Sequence, residues 1–164
     1  MRWILLSIVA LIVVGCGYKP SSQAIKEHLL DTVFVVVKVD RAEPENAPFV
    51  KDELHRMVYT RFKGRIAPKA LAQSRLYVSY EGSSFTPLSY QDGYVVRYRV
   101  NIKVSFDLRT KQGQIKKRIS TVYESDIQAS SLYSSTLRTE AIRKGLSKAL
   151  DEFFAFVSAK FLTP

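Results

Sequence analysis

The sequence predicts an α+β fold, a two-layer sandwich in which two helices pack on one face of a four-stranded mixed sheet in the order β-α-β-β-β-α. Three observations point to it. The run Thr32–Val39 (TVFVVVKV) is almost continuously β-branched, which suits a strand buried on much of both faces. Residues 96–108 alternate without a break between apolar even positions and polar odd ones, the period of a strand with one dry and one wet face. Two segments, 49–63 and 136–161, carry apolar residues at helical spacing.

The elements follow in order. After the first strand, residues 43–48 are rich in turn formers, with Asn46 able to cap a helix and Pro48 in its first turn. Val50, Leu54, Met57, Val58 and Phe62 then form one stripe, and Gly64 is expected to end that helix. Leu76, Val78 and Tyr80 alternate as a second strand, followed by a loop holding Gly82, Pro87, Asp92 and Gly93. The long third strand turns at Gln112-Gly113, which pairs Lys111 with Gln114. That register sets Phe106 opposite Ile119, Val104 opposite Thr121 and Ile102 opposite Tyr123, with Asp107 meeting Arg118 and Arg99 meeting Asp126 on the wet face. A Ser-rich connection at 128–135 leads to the last helix, whose stripe is Ile142, Leu146, Ala149, Leu150, Phe153, Val157 and Phe161.

The N-terminus stands apart from this domain. Residues 4–14 are apolar except for Ser7, behind a start carrying only Arg2, and the run falls well short of the roughly 20 residues of a membrane-spanning helix. Val13-Val14-Gly15-Cys16 then fits a bacterial lipoprotein signal. The thiol of Cys16 accepts the diacylglyceryl group, and Gly15 fits the peptidase where a larger side chain would not. The expected division is a signal peptide over 1–15, an acylated N-terminus and tether over 16–31, and a single α+β domain over 32–164. Several acyl chains, each buried methylene contributing roughly 0.8 kcal/mol, hold such a chain in a membrane. Gly17 is not the Asp that commonly retains lipoproteins in the inner membrane, so the expected place is the periplasmic face of the outer membrane.

The 164 residues include Lys+Arg 25 against Asp+Glu 15, a formal charge of +10, and a single cysteine. That cysteine count excludes an intramolecular disulfide framework and a Cys-based zinc site. Nucleic acid, the usual partner of a basic protein, is absent from the periplasm and is not expected here. Nothing in the chain assembles a catalytic site. There are two histidines, His28 in the tether and His55 beside an apolar helix stripe, and no HExxH, GxSxG, Walker-type or GxGxxG pattern. No catalytic residue, metal ligand or cofactor is therefore expected, and the protein is not expected to be an enzyme.

The candidate site is a surface. Arg97, Arg99, Lys103, Lys116 and Arg118 lie on the wet face of the proposed hairpin, with Arg109 among them, against Asp107, Glu124 and Asp126. Phe34 and Val36 fall on the same uncovered side if Val33, Val35 and Val37 face the helices. A half-apolar, half-cationic sheet face suits a protein partner, an anionic amphiphile, or both. In the outer membrane the abundant anionic amphiphile is lipopolysaccharide, whose phosphates suit Arg and Lys.

Cys16-Gly17-Tyr18-Lys19-Pro20 resembles the CGY/CGW-plus-basic start of the LptE family of lipopolysaccharide-assembly lipoproteins. The Val-rich strand, the first helix, the long strand and the closing helix are similar to that family in order. The resemblance implies two helices on a four-stranded sheet, a non-enzymatic role, no cofactor, and two partners: the outer-membrane β-barrel LptD, whose lumen the family plugs, and lipopolysaccharide. It makes Phe34 and Val36 candidates for barrel docking and Arg97, Arg99, Lys103, Lys116 and Arg118 candidates for lipopolysaccharide contact. Family members place basic residues near the loop before the long strand and the loop before the last helix. Here those loops, 89–93 and 127–131, hold no basic residue, and Arg97 and Arg99 are the nearest substitutes. Two other readings are a lipoprotein activator of a periplasmic cell-wall synthase, for which the 17–31 tether is short, and a periplasmic lipid-binding transport component, which needs an enclosed apolar cavity.

Overall fold

The computed structural model describes the backbone of residues 32–126 and 134–162, and the side chains of 32–126 and 139–160. The expected signal peptide, Cys16, the tether, the 127–131 loop and the Phe161 side chain lie outside the described residues. Strand β1 spans Thr32–Val39, as its β-branched run dictates. A single 3-10 turn at Pro44–Asn46 leads into helix α1, Ala47–Thr60. Strand β2 is Arg65–Ile66, β3 is Ser74–Gln91, β4 is Tyr94–Thr110, β5 is Gly113–Asp126, and helix α2 is Ser134–Leu162.

The sheet is mixed and five-stranded, in the order β2-β1-β3-β4-β5. The expectation of four strands is corrected by β2, which pairs parallel with β1 through Thr32↔Arg65 and Val33↔Ile66. Two residues are too few to show any period, so no pattern announces this strand. Strand β1 also pairs parallel with β3, while β3-β4 and β4-β5 are antiparallel.

Strand β3 corrects a second expectation. Its 18 residues continue straight through the stretch expected to be a loop. The register shifts between Tyr80 and Ser83 and again between Pro87 and Tyr90, so the turn-forming residues are absorbed as bulges in a long ribbon. Gly82, at φ +100, serves the first of these. The ribbon closes at Asp92-Gly93, both at positive φ (+51 and +81), the backbone that a tight two-residue hairpin requires.

The β4-β5 turn lies one position earlier than expected, on Lys111-Gln112, so Thr110 pairs with Gly113. Thr110 Oγ1 accepts from the Gln112 N–H (3.2 Å) and donates to the Gly113 carbonyl (3.3 Å), while Gly113 takes φ +146, a conformation open to glycine. The register is thereby corrected by two residues. Val104 faces Ile119, Ile102 faces Thr121, Phe106 faces Lys117 and Asp107 faces Lys116. A shift of two preserves parity, so every side chain keeps its expected face.

Both helices cover the inner face. The α1 stripe of Val50, Leu54, Met57 and Val58 is buried together with Phe62, and so is the α2 stripe from Ile142 to Val157. They pack on Val33, Leu76, Val78, Tyr80 and the even positions Val100 to Leu108. Helix α1 ends at Thr60 rather than at Gly64. Lys63 takes φ +53, and the Gly64 N–H reaches back to the Val58 carbonyl (3.0 Å). Asn46 precedes α1 but its side chain makes no capping bond. Its Nδ2 donates instead to Glu43 Oε2 (2.7 Å), a buried carboxylate that also accepts from the Tyr80 hydroxyl (2.8 Å) and the Ser83 N–H (3.1 Å).

Candidate functional site: the uncovered sheet face

No helix among the described residues covers the outer face of the sheet, and strand alternation fixes which side chains line it. Register neighbours form rows across four strands. Phe34, Arg75, Arg109 and Gln114 make one row, Val36, Tyr77, Asp107 and Lys116 the next, and Lys38, Ser79, Ser105 and Arg118 a third. The small Ser79 and Ser105 form the floor of an open groove of about 670 Å³, walled by Val36, Lys38, Tyr77 and Arg118. Phe34 and Val36 are thus on the outer side, half-buried, as the sequence parity requires.

The five candidate cations all reach this face, in two electrostatic states. Arg97 lies 3.2 Å from Asp126 and 3.6 Å from Glu124, and Arg99 donates through Nε (3.1 Å) and a terminal nitrogen (2.9 Å) to Glu124 Oε1. The expected Arg99–Asp126 pair is therefore replaced by Arg99–Glu124. Arg118 does not meet Asp107; it reaches diagonally to Glu81. Lys103 and Lys116 form no ion pair among the described residues. These exposed arginine pairs are worth about 0–1 kcal/mol each, so an incoming anion can displace the carboxylates at small cost.

Two carboxylates on the face titrate below the ordinary range. The Ser105 hydroxyl, which donates to Glu81 (2.5 Å), is the main cause for Glu81, with Arg118 and the Lys103 charge adding to it against the opposing effect of burial. For Asp107 the main cause is Arg109 (2.7 Å), supported by Gln114 (2.7 Å), again against burial. Arg109 also lies over the Tyr77 ring, 4.9 Å from its centroid.

Sequence reasoning missed Lys38, Arg75 and Tyr77 as members of this face. The parity of Phe34 and Val36 extends to Lys38 and was the available signal. Among the described residues no group of three His, Cys, Asp or Glu side chains is placed to hold a metal, and no helix is long and apolar enough to cross a membrane.

The fold has solved counterparts. A lipoprotein from Caulobacter crescentus aligns with a TM-score of 0.55 at 12% identity, covering 85% of this chain and 93% of that one. Rare lipoprotein B from Shewanella oneidensis aligns with a TM-score of 0.53 at 14% identity, covering 79% and 96%. Lipoprotein B from Nitrosomonas europaea gives 0.53 at 14%, covering 81% and 85%. At such identities the likeness concerns the fold alone. No curated protein matches the sequence. The family model described as LptE, lipopolysaccharide-assembly, matches residues 34–155. That span runs from β1 into α2 and takes in the whole uncovered face, and the chain belongs to the LptE family.

Proposed function

We propose that this protein is a non-enzymatic outer-membrane lipoprotein, acylated at Cys16 after removal of residues 1–15, that plugs the LptD β-barrel and assists lipopolysaccharide assembly. The folded domain comprises residues 32–164, held to the periplasmic side of the membrane by the segment 16–31. The observation that carries the reading is the family match over 34–155, which includes a sheet face left open, apolar at one edge and lined across the rest by arginines and lysines interspersed with carboxylates. Phe34 and Val36 form the apolar edge offered to the barrel. Arg97, Arg99, Lys103, Lys116 and Arg118 offer donors to lipopolysaccharide phosphates, the arginines by exchanging exposed carboxylate partners for phosphate.

The test has two arms. Pull-down of the full-length protein from detergent-solubilised outer membranes is expected to recover LptD; recovery of a cell-wall synthase instead would reverse the assignment. Arg97→Glu combined with Arg99→Glu is expected to weaken lipopolysaccharide binding while the melting temperature stays nearly constant. Unchanged binding would remove both arginines from the site.

A further inference from the structure

At one end of the strands unpaired cations outnumber carboxylates. At the end where β1 begins, Arg65 pairs with Thr32 in register, and the loop after β2 folds back on the same residue, the Thr32 hydroxyl donating to the Leu71 carbonyl (3.1 Å). Arg75 lies beside Phe34, and the β4-β5 turn brings Lys111 and Lys116 to the same end. Arg65, Lys69, Arg75, Lys111 and Lys116 are all exposed, and none forms an ion pair among the described residues. Leu71 stands among them with 71% of its surface in solvent. The nearest carboxylate on the sheet, Asp107, is already occupied by Arg109 and Gln114. Asp151 and Glu152 sit on the helix layer, Asp151 paired with Arg61. The opposite end mixes both signs: Asp40, Glu45 and Asp92 stand with Arg41, and Glu124 and Asp126 are paired with Arg97 and Arg99. Strand β4 alone, with 17 residues, separates the two ends by about 55 Å.

The chain outside the structure joins the basic end. Residues 1–31 lead into Thr32, the first residue of β1, so a lipid anchor at Cys16 stands at most about 55 Å of extended chain from it. We infer that the pole formed by Arg65, Lys69, Leu71, Arg75 and Lys111 rests on the anionic phospholipid headgroups of the leaflet that holds the acyl chains. Four unpaired cations match a negatively charged lipid surface, and Leu71 supplies an apolar contact at the headgroup boundary. This inference rests on the acylation of Cys16 but not on lipopolysaccharide binding at Arg97 and Arg99, which lie toward the other end.

The experiment uses the acylated protein with a polarity-sensitive fluorophore on Leu71→Cys, and on Gln91→Cys as the control at the far pole. The labelled proteins are mixed with vesicles of phosphatidylcholine alone, of phosphatidylcholine with phosphatidylglycerol, and of phosphatidylcholine with lipopolysaccharide. Flotation with neutral vesicles reads the anchor. A blue shift at position 71 reads the pole. The expected result is flotation with all three vesicles and a shift at position 71, absent at 91, that phosphatidylglycerol strengthens. Raising salt from 0.1 M to 1 M, which shortens the screening length from about 10 Å to about 3 Å, is expected to reduce the shift. Lys69→Glu with Arg75→Glu and Lys111→Glu is expected to abolish it at an unchanged melting temperature. Flotation without a shift at 71 overturns the pole and leaves the anchor standing. No flotation overturns the anchor and the inference with it. A shift that only lipopolysaccharide produces overturns the phospholipid assignment.

Discussion

Phe106 on β4 and Phe153 on α2 stack face to face, their ring centroids 4.2 Å apart and their planes 7° from parallel. Both rings are buried, and they bolt the long closing helix to the centre of the sheet. Phe153→Ala removes the whole ring from a site with no solvent to fill it, and is expected to lower stability by about 3–5 kcal/mol in urea denaturation. A loss below about 1 kcal/mol would mean that α2 does not depend on this contact.

Gly145 marks the closest approach of α2 to the sheet. A Cβ placed there would stand 2.5 Å from Ile102 Cδ1 and 3.3 Å from Ile102 Cγ1, and the Gly145 carbonyl accepts from Thr121 Oγ1 (2.8 Å). Gly145→Ala gains about 1 kcal/mol of helix propensity but overpacks the contact by about 1–3 kcal/mol. The expected outcome is a net loss near 1 kcal/mol. Adding Ile102→Val, which removes Cδ1, is expected to restore stability beyond the sum of the single effects, as a double-mutant cycle will read.

Glu43 ties the turn before α1 to the bulge of β3, its carboxylate accepting from Asn46, Tyr80 and both the N–H and the hydroxyl of Ser83. Glu43→Gln keeps the volume, turns one acceptor into a donor and discards the charge that strengthens these bonds. It is expected to destabilise by about 1.5–3 kcal/mol in thermal or chemical melts. An unchanged melt would show that the cluster contributes no net stability.

Glu81 and Asp107 titrate below the ordinary carboxylate range in the folded protein, so their contribution to stability is present above the unfolded value of about 4 and is lost as pH falls through the lowered folded value. Melting temperatures measured from neutral pH downward are expected to hold to about pH 5 and then fall. Ser105→Ala removes the largest influence on Glu81 and is expected to move its carboxyl titration, followed by NMR, up toward the ordinary value. A titration that stays put would assign the effect to Arg118.

The parts of the fold that were legible are those where one side chain period dominates. Even positions from Val100 to Leu108 are buried against the helices as their alternation requires, and the Val50–Val58 stripe is buried as read. Pairing partners were less legible, because parity comes from the hydrophobic pattern while register comes from the turn. The hydrogen bonds of Thr110 move the β4-β5 turn to Lys111-Gln112, and nothing in the apolar pattern distinguishes two registers that differ by two. Gly82 and Pro87 suggested a loop because turn formers and bulge formers are the same residues; Asp92-Gly93 was the stronger hairpin signal. The candidate cations were legible as members of one face. Their ion pairs were not, since Arg118–Glu81 is a diagonal contact between strands that the sequence left unpaired.

The parallel β1-β3 pairing sets the order in which the molecule can assemble. Thr32 and Gln73, hydrogen-bonded where that pairing begins, are 41 residues apart in the chain. The β3-β4-β5 meander, by contrast, closes through two tight turns. Loop-closure entropy therefore favours early formation of the meander and late docking of β1. Until β1 arrives, β3 presents an open edge, a template for pairing with another chain. Stopped-flow kinetics are expected to show Val104→Ala slowing refolding and Val35→Ala chiefly hastening unfolding. The strand that docks last is then also the one that covers the exposed edge of β3.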